Sequence, residues 1–249
     1  MAKPDFELLN IMLVQIKKSI EKIFPGFSRK IYYSISIIKY RGEKYFCPIC
    51  KKGFSKFLTG PNKSRINSKC PGCGSLERQR LLWLYLTSKL EIKNQKINPL
   101  NVAPDYATQT ALQRLKNISY TSVDLNSSLA MKKNDITNLE FRDSYFDAII
   151  CYHVLEHIEN DRKALSELHR VLKPGGWAIL QSPVDIDMTV TFEDSNVITA
   201  KERKKLFGQE DHVRIYGCDY IKRLEEAGFI VNEDNFINKF SPTEKEKYL

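Results

Sequence analysis

Residues 146–180 read FDAIICYHVLEHIENDRKALSELHRVLKPGGWAIL. Phe146 to Tyr152 is a nearly unbroken apolar run of strand length, and a short polar loop follows it. Apolar residues then recur at helical spacing from about Asn160 to Leu172. Lys173-Pro174-Gly175-Gly176 predicts a turn, and Trp177 to Leu180 a second buried strand. Two such strands joined by a helix of that length form a βαβ unit, whose strands run parallel and are covered on both faces. The stretch predicts an α/β fold built on a doubly wound, mostly parallel sheet of Rossmann-like type.

The pattern extends in both directions. Upstream, Leu100 to Ala103 reads as a first strand, Thr108 to Lys116 as a helix, and Ile118 to Val123 as a second strand ending at Asp124. Downstream, Thr199 and Glu202 form a T-x-x-E capping box that opens a helix through Phe207, and Asp211-His212 follows. Ahead of the sheet, Leu76 to Leu90 predicts a strongly apolar helix. Residues 5–24 predict an amphipathic helix with Leu9, Leu13, Ile16, Ile20 and Ile23 near one face, ended by Pro25-Gly26. Residues 31–40, IYYSISIIKY, fit a strand or a short buried helix; this amino-terminal piece would dock on the fold or lie on a membrane surface. The domain division is then 1–43, 44–92 and 98–240.

Four of the six cysteines form two close pairs, Cys47-Pro-Ile-Cys50 and Cys70-Pro-Gly-Cys73, with 19 residues between them. A C-x-x-C turn aims two thiolates at one point, and two such turns complete a tetrahedral zinc site. With four thiolates the site is closed, so the metal is structural: a small zinc-ribbon-like module. Cys151 and Cys218 read as packing residues. The first ten residues, MAKPDFELLN, lack the features of a secretory signal, so reduced thiols and a cytoplasmic location are expected. No apolar run reaches the length of a membrane-spanning helix. The net charge of +9 is compatible with an RNA partner and equally with a solvated basic surface.

The F-D-x-I…H-V-L-E-H…L-K-P-G-G wording of residues 146–176 resembles the second half of class I S-adenosylmethionine (SAM)-dependent methyltransferases. That resemblance implies SAM lying across the carboxyl ends of the strands at the switch point of the sheet. An acidic residue and a glycine-rich loop usually follow the first strand; here Asn101, Ala103 and Pro104 stand in that place, without glycine. Asp124 with Leu125 takes the position that binds the ribose hydroxyls. Asp135-Ile136 takes the adenine-contacting position, and Tyr152 closes the strand before the H-V-L-E-H loop. An NAD enzyme is disfavoured, because its fingerprint needs G-x-G-x-x-G.

His153, Glu156 and His157 share one face if the chain turns helical after Tyr152. They resemble the E-x-x-E-H loop of two metal-dependent O-methyltransferase groups, the ubiquinone-pathway catechol methylases and the small-RNA 3′-end methylases. His153 replaces the first Glu, Glu156 and His157 match, and His212 is the fourth candidate ligand for a second divalent metal. A metal-free role for these side chains as general base or substrate-positioning groups is the alternative. Tyr152, Phe192, Phe207 and Tyr216 are candidates to wall an acceptor pocket.

The resemblance implies methyl transfer to an oxygen or nitrogen of a small-molecule or carbohydrate acceptor. Methylation of RNA, with Arg78 and Arg80 facing phosphate, is the second reading. The third is a zinc-bearing scaffold whose SAM site has degenerated with the loss of its glycines.

Overall fold

Pro99–Val102 (β3) aligns with Thr121–Asp124 (β4) on one side and with Phe146–Tyr152 (β6) on the other, all three strands parallel. Lys132–Lys133 (β5) pairs with β4, and Leu172–Gln181 (β7) with β6, again in parallel. The resulting order is β5-β4-β3-β6-β7. The chain builds leftward from β3 and then crosses to its other side at β6, so the switch point lies between β3 and β6. This is the doubly wound parallel sheet that the βαβ pattern predicts.

The computed structural model describes residues 27–60 and 65–249, and the chain divides into two compact units. The helix expected over residues 5–24 lies outside the described residues. One unit spans residues 1–85 and 237–249, the other 86–236. The last thirteen residues thus join the cysteine-bearing part of the chain, a return that a contiguous division at 44–92 and 98–240 does not provide for.

In the first unit, Phe27–Lys39 (α1) is a helix, and most of its residues are exposed. That settles 31–40 as helical but not as buried. Arg41–Cys47 (β1) and Lys52–Phe54 (β2) form an antiparallel hairpin that carries the first cysteine pair at its turn. Glu77–Leu84 (α2) follows the second pair. Phe54 and Phe57 are fully buried beside Tyr45, with ring centroids 6.0 Å (Phe54–Phe57) and 5.1 Å (Tyr45–Phe57) apart. Arg80 is also fully buried: it donates to the carbonyls of Ser68, Ser75, Tyr248 and Leu249 at 2.5 to 3.0 Å. Its guanidinium stacks over the Phe57 ring at 4.4 Å. Four carbonyl acceptors meet its donor fork, which is how a cation survives in an apolar core. A side chain so enclosed cannot face phosphate, which corrects its reading as an RNA contact.

In the second unit, Tyr106–Gln113 (α3) and Asp161–Val171 (α4) are the crossover helices. Leu165, Leu168 and Val171 of α4 are fully buried against Leu100, Val102, Phe146 and Ile149. Burial of each such side chain contributes on the order of 1.5–3 kcal/mol. The strand after α4 begins at once at Leu172; residues 173–176 form a bulge opposite Asp147 rather than a turn before the strand. Gly176 belongs there because a Cβ would lie 2.8 Å from the Asp147 carbonyl oxygen. β7 is half-buried rather than buried, because it is the edge of the sheet and has β6 on one side only. Phe192–Glu193 (β8) and Arg214–Ile215 (β9) form a small antiparallel pair flanking Ala200–Phe207 (α5), and Tyr220–Glu226 (α6) completes the unit. The Thr199–Glu202 capping box at the start of α5 is present as read.

Candidate active site and metal centres

Because the sheet is parallel, all its strands present their carboxyl ends at one edge. Ala103 and Pro104 follow β3, Asp124 and Leu125 end β4, Asp135 and Ile136 follow β5, and Tyr152 and His153 end β6. Asn101 lies one turn of pleat earlier, is buried, and donates to the Tyr120 hydroxyl at 2.9 Å. That hydroxyl donates in turn to Gln109, which also accepts from Ser122. Desolvation pushes the Tyr120 pKa up to about 12, so the phenol stays a donor. Asn101 therefore braces the floor of the β3 loop from below.

Ala103 adopts φ +47, a conformation in which glycine is usual, and it is exposed at the strand end. The turn of a glycine-rich loop is thus kept without the glycine, at an expense of about 1 kcal/mol. Asp105 caps α3, its carboxylate accepting from the amides of Ala107 and Thr108 at 2.9 and 3.0 Å. One oxygen of Asp124 accepts from the amides of Asn126 and Ser127 at 2.7 and 2.6 Å. This fixes the side chain at the end of β4 as an Asx turn over the loop that follows. Asp135 is exposed and is held by Thr137, while Ile136 beside it is buried. Leu125 is exposed.

His153 also takes a left-handed conformation, φ +56. Both strands that flank the switch point therefore end on a non-glycine residue in a sparsely populated region, as strained residues at functional sites do. Leu155–His157 forms a single 3-10 turn. Glu156 is almost fully buried in it: one carboxylate oxygen lies 3.1 Å from His153 Nδ1, and the other accepts from Ser182 Oγ at 2.9 Å. Burial pushes the Glu156 carboxyl up, but the bonds from His153, from backbone amide and from Ser182 outweigh it and hold its pKa below the ordinary value.

Ligand atoms of Glu156, His157 and His212 lie within 4.8 Å of one another. The His157 and His212 rings meet edge to face at 4.7 Å. His157 Nδ1 faces Asp211, 3.2 Å from its carbonyl and 3.3 Å from its carboxylate, which leaves Nε2 toward the cluster. A carboxylate orienting an imidazole in this way is the usual outer shell of a metal-binding histidine. Burial, with the neighbouring His157, lowers the His212 pKa and keeps its ring neutral, as a metal ligand must be. His153 stands outside this group and braces Glu156 instead. The helical-face reading had all three on one side; a 3-10 turn that starts only at Leu155 separates them.

The loop is held by residues that no local motif marks. Arg214 is buried and donates to the carbonyls of Leu155, Ile158 and Glu159, so the turn that carries Glu156 and His157 curls around its guanidinium. Val213 N donates to the Glu156 carbonyl at 3.0 Å, which fixes His212 beside the turn. Arg214 and Arg223 share the carboxylates of Glu193 and Asp161, and Tyr216 donates to Asp161 at 2.7 Å. Tyr216 is fully buried in this network and is not a pocket wall; Phe207 is buried against Phe192, 5.6 Å between centroids, and Phe192 is partly exposed. Cys151 is buried as expected, whereas Cys218 is exposed.

In the first unit, Cys47, Cys50, Cys70 and Cys73 converge, all four sulfurs within 4.8 Å. Cys47 and Cys73 are 3.6 Å apart, and Cys50 and Cys70 3.7 Å. A Zn–S bond of about 2.3 Å in a tetrahedron requires sulfurs about 3.8 Å apart, so the spacing fits zinc. Gly72 N donates to Cys70 Sγ, 3.3 Å away, as suits a thiolate, and Ser75 Oγ lies 3.2 Å from Cys73 Sγ.

Residues 102–180 match the family model described as a methyltransferase domain. The matched segment runs from the end of β3 to the last residues of β7, about a third of the chain. The chain is similar to a demethylmenaquinone methyltransferase of Bacteroides fragilis, 29% identical over 111 residues, 43% of this chain and 45% of that one. A 2-phytyl-1,4-naphtoquinone methyltransferase of Nostoc punctiforme is 40% identical over 53 residues, 21% of this chain and 23% of its own. An ajmaline N-methyltransferase of Rauvolfia serpentina is 24% identical over 136 residues, 55% and 42% of the two chains. The chain thus spans less than half the length of these relatives, and the family match does not include its cysteine unit.

Proposed function

We propose that the protein is a SAM-dependent methyltransferase acting on an oxygen or nitrogen of a small-molecule acceptor. The observation that carries this reading is the gathering of Ala103, Asp124, Asp135 and the Glu156–His157–His212 group at one edge of a domain that matches methyltransferases. Relatives named for naphthoquinone and alkaloid methylation favour a small cyclic acceptor bearing a hydroxyl or amine. In this reading Asp124 takes the ribose hydroxyls, Asp135 and Ile136 flank the adenine, and the Ala103–Pro104 turn faces the methionine part of the cofactor.

Methyl transfer is an in-line displacement at a sulfonium carbon: the acceptor–carbon bond forms as the carbon–sulfur bond breaks, and the acceptor loses a proton. The chain's part is alignment and proton removal, with no covalent nucleophile. Two imidazoles and one carboxylate suit Mn²⁺, Fe²⁺ or Zn²⁺ better than Mg²⁺. A divalent ion held by Glu156, His157 and His212 would lower the pKa of an acceptor hydroxyl. His153 acts as a positioning residue for Glu156. The four cysteines hold a structural zinc.

Calorimetric titration with SAM and S-adenosylhomocysteine, with total metal measured on the same sample, tests the reading. Transfer of labelled methyl to a panel of hydroquinones, catechols, sugars and secondary amines follows. Micromolar SAM affinity and one zinc per chain are expected, and a second metal equivalent when Mn²⁺ or Fe²⁺ is supplied. Asp124→Ala removes SAM binding without unfolding the domain. His157→Ala keeps SAM affinity and lowers turnover at least about a hundredfold. Folded, zinc-loaded protein that binds no SAM would replace the enzyme with the scaffold reading.

A further inference from the structure

α1 is apolar on two sides, and among the described residues only one of them is packed. Its inner side lies on the second cysteine turn: a Cβ at Gly74 would sit 2.0 Å from the Tyr33 hydroxyl, and one at Gly72 3.3 Å from the Ile37 side chain. Ser36 on the same side is buried. The outer side carries Ile31, Tyr32, Ile35 and Ile38, which are 45%, 50%, 60% and 79% exposed. At 100° per residue these four fall within an arc of about 120°. A single exposed isoleucine needs no explanation, but a continuous row of them along a short helix marks a contact surface.

Charge indicates what the contact is. The unit that carries α1 has 20 basic and 7 acidic residues in its sequence, a net +13; the other unit has 19 and 23, a net −4, and the two sum to the chain's +9. The exposed apolar row is flanked by exposed Lys39 and Arg41, with Lys52 exposed on the hairpin that follows and Lys56 just past it. A second copy would bring one +13 surface onto another. A nucleic acid would satisfy the cations but offers nothing to a row of isoleucines. An anionic bilayer surface satisfies both, phosphate headgroups taking the cations and the acyl boundary taking the aliphatic side chains.

We propose that α1 is an interfacial anchor that lies in the plane of an anionic membrane surface, with Ile31, Tyr32, Ile35 and Ile38 directed into it. The proposal concerns peripheral adsorption and stands apart from the methyl-transfer reading; no described helix is long and apolar enough to cross a membrane. The test is sedimentation of the full chain with phosphatidylcholine vesicles with and without phosphatidylglycerol, together with electrophoretic shift of a homopolymeric RNA. The anionic vesicles are expected to bind the chain and the neutral ones to bind it weakly. I35E/I38E is expected to lower vesicle binding at least about a hundredfold, given on the order of 1.5 kcal/mol or more for each isoleucine buried. Both side chains are exposed, so thermal unfolding of the variant should match the parent, which separates lost docking from lost folding. Vesicle binding that is absent, or that I35E/I38E leaves unchanged, overturns the proposal. RNA binding insensitive to I35E/I38E in a chain that ignores vesicles assigns the basic face to nucleic acid instead. A dimer in ultracentrifugation that I35E/I38E dissociates, again without vesicle binding, assigns the apolar row to a second copy.

Discussion

The two units solve the stability problem by different means. The sheet unit buries a continuous cluster from Leu100 and Val123 through Phe146 and Ile149 to Leu165 and Leu168, enough apolar surface to order its chain. The cysteine unit has a small core around Phe54, Phe57 and Tyr45, a buried arginine at its centre, and four converging thiols. A unit with so little apolar surface gains most from a cross-link, and four converging thiols are placed to hold one through a metal. Polar burial differs in the same way. Arg80 meets four backbone carbonyls, whereas Arg214 adds the Glu193 carboxylate to three loop carbonyls and Arg223 binds the carboxylates of Asp161 and Glu193. The first arrangement ties a local fold to the returning segment 237–249; the second fixes the loop that carries Glu156 and His157.

This contrast can be broken most severely at the metal. Cys70→Ser, or stripping zinc with a chelator, should unfold the cysteine unit, since structural zinc contributes on the order of 10 kcal/mol of apparent binding free energy. Calorimetry should then show the transition of the sheet unit alone, with zinc content near zero. Loss of both transitions together would mean that the sheet unit depends on the metal.

Arg214→Gln comes next. It leaves the carbonyls of Leu155, Ile158 and Glu159 without their donor and should destabilise the sheet unit by about 1–3 kcal/mol. It should also weaken any metal bound by Glu156, His157 and His212 by about tenfold to a hundredfold while the structural zinc remains. Unchanged metal affinity would show that the 3-10 turn keeps its shape without the guanidinium. Leu168→Ala, at a fully buried α4 position, should lower the same transition by about 2–5 kcal/mol through an unfilled cavity, leaving both metal contents untouched.

The smallest effect lies at Ala103. Glycine there relieves the positive φ, and chemical denaturation should show the sheet unit stabilised by up to about 1 kcal/mol. A loss of stability would mean that the alanine methyl makes contacts worth more than the strain.

Much of the architecture was legible because it is written locally. The alternation of apolar runs gave the βαβ unit, Thr199 and Glu202 gave the start of α5, and the C-x-x-C spacing gave the convergence of four thiols. Local reading failed where a residue's partner lies far along the chain. Residues 31–40 fit a strand or a short buried helix, and only packing on the second cysteine turn decides for a helix, mostly exposed. Arg80 looked like a surface cation until carbonyls 168 and 169 residues away enclosed it.

The sequence by itself therefore determined the strand–helix–strand order of the sheet unit, that the sheet is parallel, and that four thiols belong together, because periodicity and short spacing act over a few residues. The tertiary structure alone decided that His153 braces Glu156 while His212 joins it, that the loop folds around Arg214, and that residues 237–249 return to the cysteine unit. Those meetings depend on non-local contacts between polar groups, each of which must find a buried partner or pay for its desolvation, and spacing along the chain does not encode them.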